Sequence, residues 1–206
     1  MITLHNKDCL EAMLEMADNQ FDLAIVDPPY GIADNPSRHK GSGRLKNRLL
    51  NLNADKFAQW DIPPTQQYFD ELMRVSKNQI IWGGNYFDLP PTRCIICWDK
   101  KQPWPNFSQI EMAWTSFDNP AKIFRFDNRT KDKIHPTQKP IQLYKWILQN
   151  YAKDGDSILD THLGSGSIAI ACHDMGFDLT AYEIDEEYFA AAQQRLKKHQ
   201  QQLKLF

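Results

Sequence analysis

The sequence predicts an α/β fold built on a mostly parallel β-sheet, and three observations indicate it. Short apolar runs typical of buried strands alternate with stretches typical of amphipathic helices, which is the pattern of parallel sheets. The 206 residues suit one domain, expected to span residues 1–206, and a hydrophobic content of 42% can build its core. No apolar run approaches the roughly 18 residues of a membrane span.

The strand predictions rest on short apolar runs bounded by turn residues. Phe21–Val26 is the clearest case, because Pro28 and Pro29 follow it and cannot continue a central ladder. The other predicted strands comprise residues 79–82, 94–98, 111–114, 122–126, 157–160 and 179–182.

The helix predictions rest on apolar residues at helical spacing. One helix follows the pair Pro63 and Pro64, and another ends at Gly176, a residue type that favours helix C-termini. The predicted helices comprise residues 65–77, 141–151, 168–175 and 186–199. Residues 31–60 show little periodicity and predict a long loop, a feature that is usually functional or mobile.

Basic residues are concentrated in two segments although the net charge is −2. Residues 31–60 contain six lysines or arginines, and residues 122–139 contain another six. An acidic body with two basic segments can hold a polyanion along one face, although two solvated loops give the same pattern.

Cysteine use and the N-terminus bear on the cellular compartment. Four cysteines are too few for a disulfide scaffold, and the first residues lack the layout of a signal peptide. We therefore expect a cytoplasmic protein. Cys94 and Cys97 lie three apart in a predicted strand, where their side chains would point to opposite faces, so we expect no metal site.

A glycine-rich turn follows the predicted strand at residues 157–160. Gly164 and Gly166 separate Asp160 from the next helix, and such turns let the backbone approach a ligand at a helix N-terminus. Glu183 ends the following strand, where a carboxylate can accept hydrogen bonds from ribose hydroxyls. The turn lacks the lysine of a triphosphate site and the third glycine of a dinucleotide site. A nucleoside cofactor without phosphates, such as S-adenosylmethionine, fits this turn.

A second motif, Asp27-Pro28-Pro29-Tyr30, lies at the carboxyl end of the first predicted strand. The exocyclic amine of a nucleobase is a poor nucleophile because its lone pair delocalises into the ring. The Asp27 carboxylate and the Pro28 carbonyl can accept its two hydrogens, and Tyr30 can stack on an extruded base. The alternative is a strand end closed by a Pro-Pro turn, with no catalytic role for Asp27.

Together the two motifs resemble those of S-adenosylmethionine-dependent DNA amino-methyltransferases, in the order of the permuted beta class. The resemblance implies a Rossmann-like sheet with one reversed strand and helices on both faces. It also implies methyl transfer to adenine N6 or cytosine N4 of double-stranded DNA by base flipping, in a bacterial or phage-infected cell. A tetrad that begins with Asp favours adenine. Cytosine N4 methylation remains an alternative, and so does a catalytically silent DNA- or cofactor-binding module.

The resemblance further implies which residues bind the cofactor. Residues 6–10 resemble the segment that contacts the adenine, and residues 135–140 resemble the segment beside the methionine end. Family members have Asp-Pro-Phe before the glycines, whereas this chain has Asp160-Thr161-His162. The implied cofactor-binding residues are Asp8, Cys9, Lys139, Asp160, His162, Gly164, Ser165, Gly166, Ser167, Glu183 and Ile184.

Little of the chain is left for recognising a DNA sequence. Family members with a specific target carry a sizeable recognition region, and here only the basic loop at 31–60 and residues 99–134 are available. In the second segment, Trp104 and Phe107 are candidates for stacking on a base. We expect recognition to be short, degenerate or supplied by a second subunit of a homodimer.

Overall fold

A computed structural model describes residues 1–32, 61–103, 108–127, 134 and 138–202 of the chain. The strands in this part form one eight-stranded sheet with the order β1-β8-β7-β2-β3-β5-β4-β6. The strands are β1 (Ile2–His5), β2 (Phe21–Val26), β3 (Ser76–Trp82), β4 (Ile95–Asp99), β5 (Ile110–Thr115), β6 (Lys122–Arg125), β7 (Ser157–Asp160) and β8 (Asp178–Tyr182).

One strand of this sheet is reversed. The strands β1, β8, β7, β2 and β3 pair in parallel, β5 is antiparallel to both β3 and β4, and β6 is parallel to β4. The predicted Rossmann-like, mostly parallel sheet with one reversed strand is therefore confirmed. Because β5 runs backwards, its first residues lie at the edge where the parallel strands end.

Helices cover both faces of the sheet, as expected from the resemblance. They are α1 (Cys9–Leu14), α2 (Gln66–Val75), α3 (Ile141–Tyr151), α4 (Ser167–Met175) and α5 (Glu186–Gln200). Alternate residues of β2 separate the two cores: Leu23 and Ile25 pack with α3, α4 and α5, whereas Ala24 and Val26 pack with α1 and α2. Each fully buried aliphatic side chain contributes about 1.5–3 kcal/mol, so both layers stabilise the sheet.

Capping fixes the ends of several helices. Asp185 precedes α5 and accepts hydrogen bonds from the N–H groups of Glu187 and Tyr188. Gly176 ends α4 in the left-handed conformation, with φ of 79°. The helix predicted at 65–77 ends at Val75, because Ser76 is already extended and begins β3.

Two elements near the N-terminus are absent from the predictions. Strand β1 has four half-buried residues at the edge of the sheet, which is too short a run for a periodic signal. Helix α1 has six residues, and its N-terminus is capped by the Asp8 carboxylate. None of the helices in the described ranges is both long and apolar enough to cross a bilayer.

Candidate active site

A cavity of about 440 Å³ lies at the carboxyl ends of the parallel strands. The tetrad at residues 27–30 lines one side, and Gly164, Ser165 and Glu183 line the other. The volume falls within the range of about 300–1,000 Å³ typical of ligand sites. The two motifs singled out in the sequence therefore open into the same cavity.

The Asp27 carboxylate is held by two side chains. The Tyr30 hydroxyl donates a hydrogen bond to Oδ1 at 2.6 Å, and the Lys139 ammonium forms an ion pair with Oδ2. Lys139 Nζ also lies 3.2 Å from Glu111 Oε2, and its side chain is 2% exposed. Burial lowers the pKa of Lys139, but Asp27 and Glu111 raise it by more, so the ammonium stays charged.

Glu111 reaches this cluster because it lies at the start of the reversed strand β5. Its Oε1 forms an ion pair with Lys100, and its Oε2 faces Lys139. Burial raises the pKa of Glu111, but Lys139 and Lys100 lower it by more, and the net shift keeps the carboxylate ionised. Asp27, Lys139, Glu111 and Lys100 thus form a chain of alternating charges, which is how charges are tolerated away from water.

The Tyr30 ring is enclosed by neighbouring residues. It stacks on Tyr86, with ring centroids 5.0 Å apart and planes 18° from parallel. A Cβ at Gly83 would lie 2.3 Å from Tyr30 Cε1, and Gly83 has φ of +69°, so only glycine fits there. Burial and then the charge of Asp27 raise the pKa of Tyr30 well above its usual value. The phenol is therefore a neutral donor.

Asp61 fixes the backbone that follows Tyr30. Its Oδ1 accepts hydrogen bonds from the N–H groups of Tyr30 and Gly31, both at 3.0 Å, and its Oδ2 accepts one from Ile32 at 2.7 Å. Asp61 is buried. Three hydrogen bonds to one carboxylate define the exit of the chain from the tetrad.

Glu183 is held by the backbone on the opposite side of the cavity. Its Oε2 accepts a hydrogen bond from Gly164 N–H at 2.8 Å, and its Oε1 accepts one from Asp185 N–H at 3.0 Å. Burial raises the pKa of this carboxyl. Both oxygens are therefore oriented without any second side chain.

The glycine turn is supported from below by α5. Gly166 has φ of +70°, and a Cβ there would lie 3.1 Å from Cβ of Ala192. Arg195 donates from Nη1 to the Ser165 carbonyl at 2.7 Å and to Ser167 Oγ at 3.0 Å. The helix thus fixes the shape of the turn that faces the cavity.

A smaller cavity of about 80 Å³ shares His162, Glu183 and Ile184 with the larger one and extends it towards Asp8 and Cys9. Burial lowers the pKa of His162 to about 4, so its ring is neutral near pH 7. Burial raises the pKa of the Cys9 thiol to about 12, so the sulfur is a thiol and not a thiolate. The residues that line this extension are Lys7, Asp8, Cys9, Thr161, His162, Glu183 and Ile184, so it combines one ring and small polar and apolar groups with one lysine and two carboxyl side chains.

Residues 98–194 match the model of the N6/N4 methyltransferase family, described as DNA methylase. The chain is also similar to two curated proteins, each 23% identical. They are the type II methyltransferase M.HpaI of Haemophilus parainfluenzae, aligned over 92% of this chain and 72% of its own length, and M.HinfI of Haemophilus influenzae, aligned over 95% and 68%. By these matches the chain is similar to DNA methyltransferases of the N6/N4 family.

Solved structures share the fold of this chain. PvuII DNA methyltransferase, described as cytosine-N4-specific, superposes with a TM-score of 0.64 at 13% identity and covers 97% of this chain and 90% of its own. The complex of M1.HpyAVI with S-adenosylmethionine superposes with a TM-score of 0.58 at 18% identity and covers 95% and 99%.

The fold places most residues of the predicted site around the two cavities, but not all of them. Asp160, Gly166 and Ser167 do not line either cavity and lie behind the lining. Lys139 lines the larger cavity, yet its ammonium is bound to Asp27 and Glu111 and cannot reach a DNA phosphate. Residues 33–60, Trp104, Phe107 and residues 135–137 lie outside the described residues.

Three contributors to the site are missing from the sequence prediction. Asp61 belongs to no motif and follows a stretch without periodicity, so nothing in the sequence marked it. Glu111 begins a predicted strand and Lys100 lies in the segment 99–134, but neither belongs to one of the two motifs. Their ion pairs depend on the reversed strand, whose direction the residues themselves do not reveal.

Proposed function

We propose that this protein is a methyltransferase that transfers the methyl group of S-adenosylmethionine to N6 of adenine in double-stranded DNA. The observation that carries the proposal is the shared cavity. Asp27 of a tetrad that begins with Asp opens into it from one side, and the Gly164 turn with Glu183 opens into it from the other. A methyl donor and an exocyclic amine bound at these two sides would be neighbours.

The cofactor half fits a nucleoside. Two backbone N–H groups orient the Glu183 carboxylate, whose remaining lone pairs can accept hydrogen bonds from both ribose hydroxyls. Ile184 is 66% exposed and can offer an apolar face to an adenine ring in the smaller cavity, which Asp8, Cys9 and His162 also line. Asp160, Gly166 and Ser167 would then act from behind the lining, by supporting the turn.

In the catalytic half, the residues act on the target amine. The bound cofactor supplies an electrophilic methyl group on a positively charged sulfur. Asp27 and the Pro28 carbonyl accept the two N–H groups of the amine, which draws its lone pair out of the ring and aims it at the methyl carbon. The N–C bond forms as the C–S bond breaks, and the nitrogen then loses one proton, which the carboxylate can receive and pass to water. Pro29 holds Pro28 in an extended conformation.

Two basic segments would bind the DNA. Residues 31–60 and 122–139 would hold the duplex, and residues 31–60 and 99–134 would read the target, with the flipped base entering between Asp27 and Tyr30. In the segment 122–139, the structure describes the basic residues Lys122, Arg125 and Lys139. Lys122 contacts Asn150 and Arg125 contacts Asp99, whereas Lys139 pairs with Asp27 and Glu111. Replacing a lysine or arginine that binds a phosphate should flatten the dependence of DNA affinity on salt concentration. A homodimer would add a second recognition surface.

Transfer of a labelled methyl group tests the proposal. Purified protein is incubated with methyl-tritiated S-adenosylmethionine and unmethylated DNA, and the DNA is then digested to nucleosides. Label in N6-methyl-2′-deoxyadenosine is expected. DNA without label, under conditions where the protein binds both ligands, would instead indicate a silent binding module.

Methylation of cytosine N4 is the second candidate, and one observation favours it. The structurally similar PvuII enzyme is described as cytosine-N4-specific, and the same two acceptors can serve a cytosine amine. Label in N4-methylcytosine would establish this alternative. We further propose a role in DNA modification of the kind that type II methyltransferases perform in restriction-modification. Sequencing of modified bases in DNA from cells that express the chain would give the target sequence.

A further inference from the structure

We propose that the two oxygens of Asp27 have different tasks: Lys139, steadied by Glu111, holds Oδ2 throughout the reaction, whereas the Tyr30 hydroxyl occupies Oδ1 only until the target amine replaces it. The inference rests on the proposed role of Asp27 as an acceptor for the amine. It assigns positioning roles to Lys139 and Glu111, and it makes the Tyr30 hydroxyl a placeholder.

The surroundings of Lys139 indicate a permanent contact. Its Nζ lies between Asp27 and Glu111 and 5.1 Å from the centroid of the Trp82 ring, and its side chain is 2% exposed. Removing one partner from such a buried ion pair leaves an uncompensated charge away from water, which is strongly unfavourable. An amine donor entering the cavity therefore has little prospect of displacing the ammonium from Oδ2.

Glu111 limits how strongly Lys139 acts on Asp27. Its Oε2 contacts Lys139, so the positive charge of Lys139 interacts with both Glu111 and Asp27. Its Oε1 contacts Lys100, which balances the negative charge of Glu111. Because Asp27 and Glu111 contact the same nitrogen, they would face each other directly without it. Loss of Lys139 would then set two carboxylates against one another beside the reacting amine.

The contact on Oδ1 is of another kind. It is one hydrogen bond of 2.6 Å from a neutral phenol, and the ring that carries it stacks on Tyr86, which is 48% exposed. An amine N–H replaces a phenol O–H one for one at Oδ1, so the exchange leaves no acceptor unsatisfied. Before the base arrives, the hydroxyl keeps Oδ1 directed into the cavity.

The first experiment separates Lys139 from cofactor binding. Single-turnover methylation and the affinity for S-adenosylhomocysteine are measured for Lys139→Met, with Lys77→Met as the control, because Lys77 pairs with Asp22 on the exposed surface. We expect the rate to fall about a hundredfold while affinity stays within about threefold. A rate loss below about tenfold, or an affinity that falls in parallel with the rate, overturns the proposal. The second result would return Lys139 to the cofactor.

A double variant tests how much of the rate loss in Lys139→Met comes from the unpaired Glu111 carboxylate. Lys139→Met combined with Glu111→Gln removes one of the two opposed carboxylates, and we expect it to recover about tenfold of the lost rate. No recovery would remove Glu111 from the proposal. If Lys139→Met does not fold, the double variant carries the comparison. Its rate should then remain at least about tenfold below that of the unchanged protein, with cofactor-analogue affinity preserved.

The second experiment concerns Oδ1. Tyr30→Phe keeps the ring and removes the placeholder, so we expect its single-turnover rate at saturating DNA to stay within about tenfold of the unchanged protein. Its half-saturating DNA concentration should not rise. Tyr30→Ala removes the ring as well and should raise that concentration. A larger rate loss in Tyr30→Phe would give the hydroxyl a chemical role and overturn the proposal.

Asp27→Asn, measured alongside, separates this inference from the function on which it rests. An active Asp27→Asn variant would remove the proposed role of Asp27 altogether. An inactive Asp27→Asn variant together with a fully active Lys139→Met variant would remove only the division of tasks between the two oxygens.

Discussion

Asp27 and Glu183 are two carboxylates at the ends of parallel strands that face one cavity, yet they are held in different ways. Asp27 is bound by two side chains, one of them 112 positions away in the chain. Glu183 is bound by backbone N–H groups 19 and 2 positions away. Any residue except proline supplies a backbone N–H donor, whereas few supply an ammonium. The proposed catalytic half therefore depends on particular distant residues, and the proposed cofactor half depends on a local backbone shape.

The largest effect should come from breaking the catalytic side alone. Asp27→Ala removes the proposed acceptor of the amine, and we expect the single-turnover rate to fall by about a thousandfold or more. The affinity for S-adenosylhomocysteine, measured by calorimetry, should stay within about threefold, because Glu183 is held independently of Asp27. Equal loss of both quantities would mean that the two halves are not separable.

Asp61 should give the next largest effect, because it fixes the backbone of the catalytic side. Asp61→Ala leaves three N–H groups without their acceptor, so we expect a loss of about 2–3 kcal/mol in the free energy of unfolding. The methylation rate should fall by about thirtyfold, with the cofactor-analogue affinity nearly unchanged. Asp61→Asn keeps one oxygen as an acceptor, so its free energy of unfolding and its methylation rate should fall less.

The control for this prediction is Asp70→Ala. Asp70 is an exposed residue that accepts a hydrogen bond from the Gln66 side chain, so its loss should change neither quantity measurably. An Asp61→Ala variant that methylates at the normal rate would show that the backbone after Tyr30 does not need the hydrogen bonds to Asp61.

Glu183→Ala should affect the other half. Loss of two hydrogen bonds from ribose hydroxyls to a carboxylate should weaken S-adenosylhomocysteine binding by about 30–100-fold. The rate at saturating S-adenosylmethionine should stay within about threefold, since the catalytic contacts remain. Glu183→Gln is the matched variant, and its affinity for S-adenosylhomocysteine should lie between those of the unchanged protein and Glu183→Ala. An unchanged affinity would exclude Glu183 from the ribose site.

The smallest effect should come from Asp160, which should change how the free energy of unfolding depends on pH. Burial and then the charges of Asp27 and Glu183 raise the pKa of Asp160 to about 8, although the hydrogen bond from His162 N–H lowers it. The folded state therefore holds a proton that the unfolded state has released, and stability falls as pH rises from about 4 to about 8. His162, whose pKa is lowered to about 4, acts in the opposite direction only below its usual value of 6.5.

Between pH 6.5 and 8, Asp160 should therefore contribute a loss of up to about 1.4 kcal/mol in the free energy of unfolding per pH unit. Asp160→Asn has no proton to release and should lose this contribution. Urea unfolding at several pH values measures both proteins. Identical pH slopes for the two would mean that Asp160 is ionised throughout this range.

The fold was largely predictable from the sequence, because its signals are local. Strands such as Phe21–Val26 and Ser157–Asp160 match their predicted limits, since apolar runs end there at prolines or at a glycine turn. Strand β1 and helix α1 escaped prediction because they are short and half-buried. The resemblance implied one reversed strand without saying which, and periodicity does not distinguish parallel from antiparallel pairing.

The site was predictable to a different extent in its two halves. The strand, turn and strand that carry Gly164 and Glu183 are close in the sequence, so their joint geometry has a recognisable spacing. No recognisable spacing links Asp27 to its partner Lys139. The resemblance placed Lys139 at the cofactor's methionine end, and in the structure its ammonium contacts Asp27 and Glu111. Contacts between distant charged residues are set by the tertiary fold and leave no spacing in the sequence.

The reversed strand β5 has a consequence for how such enzymes can diversify. The ladder between β4 and β5 closes at the pair Asp99 and Ile110, and Lys100, Ser108 and Ile110 border the cavity mouth. A longer connection between these two strands would enlarge the rim of the site without breaking any bond of the sheet. New target preferences could thus arise by insertion at one hairpin, while the parallel strands continue to carry the chemistry.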